Sequence, residues 1–408
     1  MFKPIHHTFG PHVTLPYLIA SWKELLKPWS WRKGYDRERL RSSIQYWFNA
    51  KCFLFSSGRE GLLALLRSLN FDIGSEIIIQ GYTCVALPNA IHAAGYIPIF
   101  VDIDPNTLNM QINAIENKIT GRTKAIICQH TFGMIADTDA LKALCDKHRI
   151  LLIEDMAHVL PDVSGPDILG KNADYMMLSF GRDKAISGIC GGVIVSKNDI
   201  ISEELEEEEN RAKELSIWSV FRILLYPTIY AKSKLLYGLG IGKLGLLASR
   251  KLGILLPIIT KQEKSGVQSP LLRKMPNSCA ALANKQLRNM HTINNHRRVL
   301  TKEYLAATKK YHWDIPNGIS EHFPLQKFPI LVEDADALRQ KLKQYNIHLD
   351  DGWTGCVVCP RTVTIENTGY VAHSCPKAEE VAKSIITLPT HLTMTKEGAA
   401  YIISHLQS

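Results

Sequence analysis

Four short stretches place residues with chemical uses at what read as the ends of apolar runs. In FSSGREGLLALL, Ser56, Ser57 and Gly58 close one run and Arg59 opens a helical one. Free backbone amides at a helix start, with a glycine allowing close approach, make an anion site suited to a phosphate; the same residues are also routine helix starters. In LLIEDMAH, Glu154, Asp155 and His158 follow another apolar run. A carboxylate held at the end of a buried strand can keep a heteroaromatic nitrogen protonated, while the plainer role for Asp155 is a helix cap or loop acid. In SFGRDKAISGICGG, Ser179 ends a run, Lys184 lies five residues on, and Gly191 and Gly192 follow. A lysine in a partly desolvated pocket has a lowered pKa and can form a Schiff base with an aldehyde. In IIIQGYTCVAL, Tyr82 sits on a loop where its ring could lie against a flat cofactor. Each stretch is ambiguous alone, but phosphate, protonated ring nitrogen and aldehyde together describe pyridoxal 5'-phosphate.

The elements that must position these residues follow a regular plan. From Phe53 to Ser196 short apolar runs alternate with longer amphipathic ones, the pattern of strands and helices in a wound α/β sheet. CFLFSS, EIIIQ, IPIFVDI, KAIICQH, ILLIEDM, DYMMLSF and GGVIVS are brief and rich in β-branched residues, as buried strands are. REGLLALLRSLN, CVALPNAIHAAG, INAIENKI and DTDALKALCDKH have helical spacing. The expected fold class is α/β, a doubly wound and mainly parallel sheet with a smaller C-terminal α+β domain. An N-terminal segment spans 1–50, a large domain 51–290 with an insertion at about 200–268, and the small domain 291–408. The active residues then fall at strand ends, where open α/β sheets place their ligands.

With 408 residues, 46% hydrophobic and 21% charged, the chain has the composition of an ordinary globular protein long enough for two domains. Its first residues, MFKPIHHTFGPHV, lack the basic, apolar and small-residue succession of an export signal, so a cytoplasmic location is expected. Nine irregularly spaced cysteines read as reduced thiols. Cys356 and Cys359 form a lone CxxC with no second pair, and no metal site is expected. There is no sign of nucleic-acid binding.

The charge is unevenly spread. Ten basic residues against two acidic ones between Arg211 and Lys264 carry +8 of the chain's net +9. Just before them, EELEEEEN holds six glutamates from Glu203 to Glu209, most simply a solvated face. The tract from Ile217 to Thr260 is leucine-rich but broken by lysine or arginine every few residues, and falls short of the ~18 apolar residues of a spanning helix. Two readings stand: an amphipathic hairpin packed on the protein or a partner subunit, or a peripheral contact with an anionic membrane surface through 217–260.

Taken together, SSGREGL, GYTCVALPNAI, GYIPIFVDIDPNTLNM, ITGRTKAIICQHTFG, LLIEDMAH, SFGRDKAISGICGG, MPNSCAALANKQL and CPKAEEVAKSIITLPTH resemble the DegT/DnrJ/StrS family of pyridoxal-phosphate sugar aminotransferases. The resemblance implies fold type I and a homodimer with sites at the subunit interface. It also implies transfer of an amino group, from glutamate, to a keto carbon of a nucleotide-linked sugar, as in polysaccharide biosynthesis. By the same resemblance, Lys184 forms the Schiff base and moves the proton, Asp155 pairs with the ring nitrogen, and His158 lies near the ring hydroxyl. Ser57, Gly58, Arg59 and Ser179 hold the phosphate, and Tyr82 lies on the loop beside the ring. Related sugar dehydratases have histidine where Lys184 stands, which favours amino transfer. The alternatives are a pyridoxal-phosphate enzyme acting on another amino or keto substrate, and a binding or regulatory family member. Three departures stand out. Cys84 occupies a usually aromatic position, and Arg59 follows Gly58 where threonine is usual. Leu272, Arg273 and Lys274 replace Asn-Tyr-Arg, so that Arg273 or Lys274 is expected to reach the partner's phosphate.

Overall fold

The computed structural model describes residues 4–161 and 169–406. The chain enters through a two-residue strand, β1 (Ile5–His6), and two helices, α1 (Leu15–Leu25) and α2 (Tyr35–Phe48). Then come β2 (Lys51–Phe55), α3 (Gly58–Ser68), β3 (Glu76–Gln80), β4 (Thr83–Cys84), α4 (Ala86–Ala93) and β5 (Ile97–Val101). A small hairpin, β6 (Ile103–Asp104) and β7 (Asn109–Met110), and α5 (Ile112–Glu116) lead to β8 (Thr123–Gln129), α6 (Thr138–His148) and β9 (Leu151–Asp155). Strands β10 (Tyr175–Ser179) and β11 (Gly192–Ser196) complete the central sheet.

All seven predicted strands form, and they make one sheet in the order β2-β11-β10-β9-β8-β3-β5. Every neighbouring pair is parallel except the two that involve β11, which runs against both β10 and β2. The carboxyl ends of the other six strands therefore share one edge of the sheet, and the amino end of β11 joins them there. Register brings the chemistry together: Asp155 lies beside Gln129 and Met177, and Gly192 lies between Ser179 and Phe55. Strands β3 and β11 are buried along their whole length, which is why their sequences are continuous rather than alternating. Helices cover both faces, and their starts are fixed by side-chain caps: Ser57 Oγ accepts from the Glu60 amide, and Asp137 Oδ1 from that of Ala140.

Beyond the sheet, α7 (Asp199–Arg211) carries the glutamate run. The predicted insertion is helical, with α8 (Ile217–Leu235), α9 (Ile241–Lys251) and the single turn α10 (Lys261–Lys264). Two helices, α11 (Asn277–Arg288) and α12 (Met290–Tyr311), connect to the C-terminal part. There β12 (Lys327–Leu331), α13 (Ala335–Lys343), β13 (Ile347–His348), β14 (Val358–Cys359), α14 (Pro376–Ser384), β15 (Ile385–Pro389) and α15 (Lys396–Leu406) follow. Strands β12 and β15 pair antiparallel. The N-terminal segment is woven into both halves, because β1 pairs with β13 while α1 and α2 pack on α8 and α11. One hydrophobic core runs from the sheet into the C-terminal part, joining Ile79 and Tyr82 to Trp353, Phe328 and Leu388.

Candidate active site

Lys184 lies in the turn after β10, held there by its backbone. Its carbonyl meets His12 Nε2 at 2.8 Å and its amide donates to Gly181 O at 3.3 Å. Among the described residues its ammonium makes no hydrogen bond or ion pair, yet its charge is felt at Asp155, His158 and Cys84. Glycines keep the space around its stem open. A Cβ on Gly181 would stand 3.3 Å from Lys184 Cγ, and one on Gly58 would press within 2.7 Å of Met177 Sδ and 3.2 Å of Ser179 Cβ. Gly192 is tighter still: its Cβ would fall 2.2 Å from the Gly58 nitrogen. This strand can pass the start of α3 only without a side chain. The result is a cradle formed by the first amides of α3, which the helix's own ladder leaves free, and the Ser179 hydroxyl. Ser57 stands at its rim with its own hydroxyl used for the helix cap.

Asp155 ends β9 with 3% of its surface exposed. Its Oδ1 accepts from the Ala157 amide at 2.9 Å, and no cation is bonded to it among the described residues. Burial pushes this carboxyl above its ordinary value, only partly opposed by the Ala157 N–H, Lys184 and His130. His158 is buried too, and burial, with Lys184, Lys327 and His130 nearby, holds it well below the usual imidazole range. Its Nδ1 accepts from the Phe132 amide at 3.2 Å, so the ring is neutral and carries its proton on Nε2. It lies parallel to Phe132, with centroids 5.9 Å apart, and edge-on to Trp353 at 5.2 Å.

Tyr82 takes a different place from the ring-facing one its loop suggested. It is fully buried, donates its hydroxyl to Trp353 O at 2.8 Å, and packs edge-on against Phe132 and Trp353. The residue of that loop that senses Lys184 is Cys84, whose thiol burial pushes up while the lysine's charge opposes it. Arg59 also departs from the phosphate-binding expectation. Its guanidinium is bound to the Glu263 carboxylate and to Ile258 O, both from the end of the insertion. Arg182 turns the same way, donating to Leu256 O and lying 5.0 Å over the Tyr226 ring. Arg273 pairs with Glu60 of its own chain at 3.1 Å. Cys359 of the CxxC lies beside Cys84 in a short parallel pair, with Cys356 Sγ 3.5 Å away. Among the described residues no group of three or more His, Cys, Asp or Glu side chains could hold a metal.

Beside Lys184 opens a narrow recess walled by its neighbour Asp183 and, from parts of the chain without a motif, by His7, His12, Arg297, Lys327 and His391. Arg297 is 2% exposed and held down to about 10 by burial. It bonds to Ala185 O, but its Nε has no partner among the described residues; neither do His12 Nδ1, Asp183 Oδ1 and Gln326 Oε1. Lys327 is paired with Asp351 at 2.8 Å, and Thr387 joins that carboxylate at 2.6 Å. Burial would push Asp351 up, but Lys327 and His7 outweigh it and hold the carboxyl well below the usual range. The four buried polar atoms without a partner, on residues that line this recess beside a lysine, leave hydrogen-bonding capacity there for a polar group. The N-terminal HHTFGPH stretch and Asp183 beside Lys184 were the available sequence signals for this wall.

The residues fit pyridoxal phosphate. Asp155 is a buried carboxylate in want of a cation, His158 offers an N–H, and the glycine cradle with Ser179 suits a phosphate; Lys184 is left free for the aldehyde. When bound, that cofactor supplies an electron-withdrawing ring that stabilises negative charge on the carbon next to the transferred nitrogen.

The sequence matches the family model for the DegT/DnrJ/EryC1/StrS aminotransferase family over residues 18–216 and 260–407. The GDP-perosamine synthase of Vibrio cholerae is 31% identical over 156 residues, which are 38% of this chain and 42% of that protein. An L-glutamine:2-deoxy-scyllo-inosose aminotransferase of Micromonospora echinospora is 29% identical over 179 residues, 44% of this chain and 43% of its own. The matched stretches thus span less than half the length of these curated relatives. Among solved structures, NtdA of Bacillus subtilis with bound cofactor PMP covers all of this chain and 85% of its own, with a TM-score of 0.76 at 19% identity. DesI in the presence of its TDP-sugar product covers all of this chain and 93% of its own, with a TM-score of 0.73 at 17% identity. At these identities the structures speak for the fold.

Proposed function

The chain belongs to the DegT/DnrJ/EryC1/StrS aminotransferase family, and from that premise we propose that it is a pyridoxal-phosphate aminotransferase. Its reaction moves an amino group from glutamate to the keto carbon of a nucleotide-linked sugar. The observation that supports this most is the convergence of Lys184, Asp155, His158 and the Gly58–Ser179 cradle on one edge of the sheet. Each residue has a task that its surroundings suit. Asp155, desolvated and uncompensated, holds a proton on a ring nitrogen and lowers its own electrostatic cost by doing so. His158 donates its Nε2 proton to a ring oxygen. Lys184, whose amine has no competing hydrogen bond or ion pair among the described residues, would hold the aldehyde when the cofactor is bound and would take and return a proton at the reacting carbon. Arg297, with an unpartnered Nε beside Lys184, suits a carboxylate of the amino donor. His7, His12 and Lys327 line the same recess and suit the polar groups of a sugar.

A coupled assay tests this reading. With pyridoxal phosphate and glutamate present, 2-oxoglutarate should form in catalytic amounts, beyond one equivalent per cofactor, only when a nucleotide-linked keto sugar is added, and Lys184→Ala should show no such turnover. Turnover confined to glutamine and a free keto cyclitol would reassign both donor and acceptor. Failure with every keto acceptor would remove the reading.

A further inference from the structure

The family match stops at residue 216 and resumes at 260, so that α8, α9 and the turn between them lie outside the family's common plan. This segment is one-sided in two respects. Residues 215–262 contain seven lysines and arginines and no aspartate or glutamate. The apolar residues Leu235, Leu239, Ile241, Leu244, Leu247 and Leu252 are 53% to 79% exposed, far beyond what a packed helix leaves in water.

The geometry explains why these residues cannot be part of the core. Helix α9 lies against the end of α8, so close that a Cβ on Gly242 would fall 2.1 Å from Ser233 O, and Leu246 is buried on that same side. Ile241, Leu244 and Leu247, three residues apart, then line the opposite face. Lys243, Arg250 and Lys251 flank this stripe, and none has an acidic partner among the described residues. Helix α1, which also packs on α8, carries exposed apolar residues of its own in Leu15, Trp22 and Leu26. No described helix is long and apolar enough to cross a membrane. An exposed stripe of leucine and isoleucine bordered by cations, in a tract free of anions, is the make-up of an element that lies in a lipid headgroup layer.

We propose that the face formed by α9 and the end of α8 docks on the surface of an anionic phospholipid bilayer. Charge decides between this occupant and a second copy. In a two-fold contact the same patch meets itself, and here that would set Lys243, Arg250 and Lys251 of one copy, which have no acidic partner among the described residues, against those of the other. An anionic bilayer offers the complement to both halves of the face, with phosphates for the cations and acyl chains for the leucines.

Flotation of the full-length protein tests this, with vesicles of equal parts phosphatidylcholine and phosphatidylglycerol set against phosphatidylcholine alone. The protein should float with the anionic vesicles at low salt, remain behind with the neutral ones, and be released by high salt. The triple variant Lys243→Ala, Arg250→Ala, Lys251→Ala should bind about a hundredfold more weakly. Leu244→Glu should also abolish flotation; its circular dichroism and pyridoxal phosphate uptake should stay unchanged, which separates lost binding from lost fold. No flotation with anionic vesicles, or flotation indifferent to both variants, would overturn the proposal. So would a solution mass that Leu244→Glu halves without any effect on lipid binding, since that result would assign the face to a second copy.

Discussion

Asp155 is the residue whose state depends most on what occupies the site. Its carboxyl is raised by burial with no bonded cation to offset it. The folded chain therefore holds this proton more tightly than the unfolded chain, whose aspartate titrates near ~3.9. The sign follows: the group costs no stability below the unfolded pKa, and its penalty grows as pH rises from there through the raised folded value. Asp155→Asn should accordingly stabilise the cofactor-free protein relative to the wild type, more at pH 7 than at pH 4, in paired thermal melts. With pyridoxal phosphate the order should reverse, because only the carboxylate gains from a protonated ring nitrogen. Amino transfer should fall about a hundredfold or more. An asparagine variant with undiminished turnover would show that Asp155 does not face the ring. The residue types of this site were legible because each has a distinct chemical use and stands at the end of an apolar run. Where the side chain's direction mattered, sequence was silent. Tyr82 lies just before β4 and Cys84 ends it, and it is the tyrosine that enters the core while the cysteine senses the lysine.

At the scale of elements, the decisive contact is between β11 and the first turn of α3. Gly192 passes so close to Ser57 and Gly58 that a methyl group would overlap backbone atoms, which cannot step aside as a side-chain tip could. Gly192→Ala should therefore destabilise the protein by about 1–3 kcal/mol and weaken pyridoxal phosphate binding, both read by thermal melts with and without the cofactor. Gly121→Ala, where nothing lies within 4 Å, should leave both unchanged. Equal behaviour of the two variants would contradict the cradle described here. Strands and helices of the sheet were legible because the apolar runs are short, uninterrupted and separated by clear breaks. The insertion was legible as basic and leucine-rich, but not its grip on Arg59 and Arg182. Those bonds join residues 199 and 74 positions apart, and no local pattern encodes a partner at such separation.

Over the whole molecule, the site is assembled from three distant parts of the chain. The sheet supplies the lysine, the acid and the cradle; the N-terminal segment supplies His7 and His12; the C-terminal part supplies Lys327, Trp353 and His391. The pairing of β1 with β13 and the single core across both halves hold these parts in register. The sequence carried the first contribution in motifs, whereas the other two depend on tertiary contacts that only the folded chain displays. Everything proposed for the reaction rests on one covalent expectation, that among the chain's lysines only Lys184 reaches the aldehyde. Incubation with pyridoxal phosphate, reduction with borohydride and peptide mass spectrometry reads this directly. The account expects the pyridoxyl group on the peptide containing Lys184 and its absence from the Lys184→Arg variant; a label on a different lysine, or none in a folded protein, would contradict it.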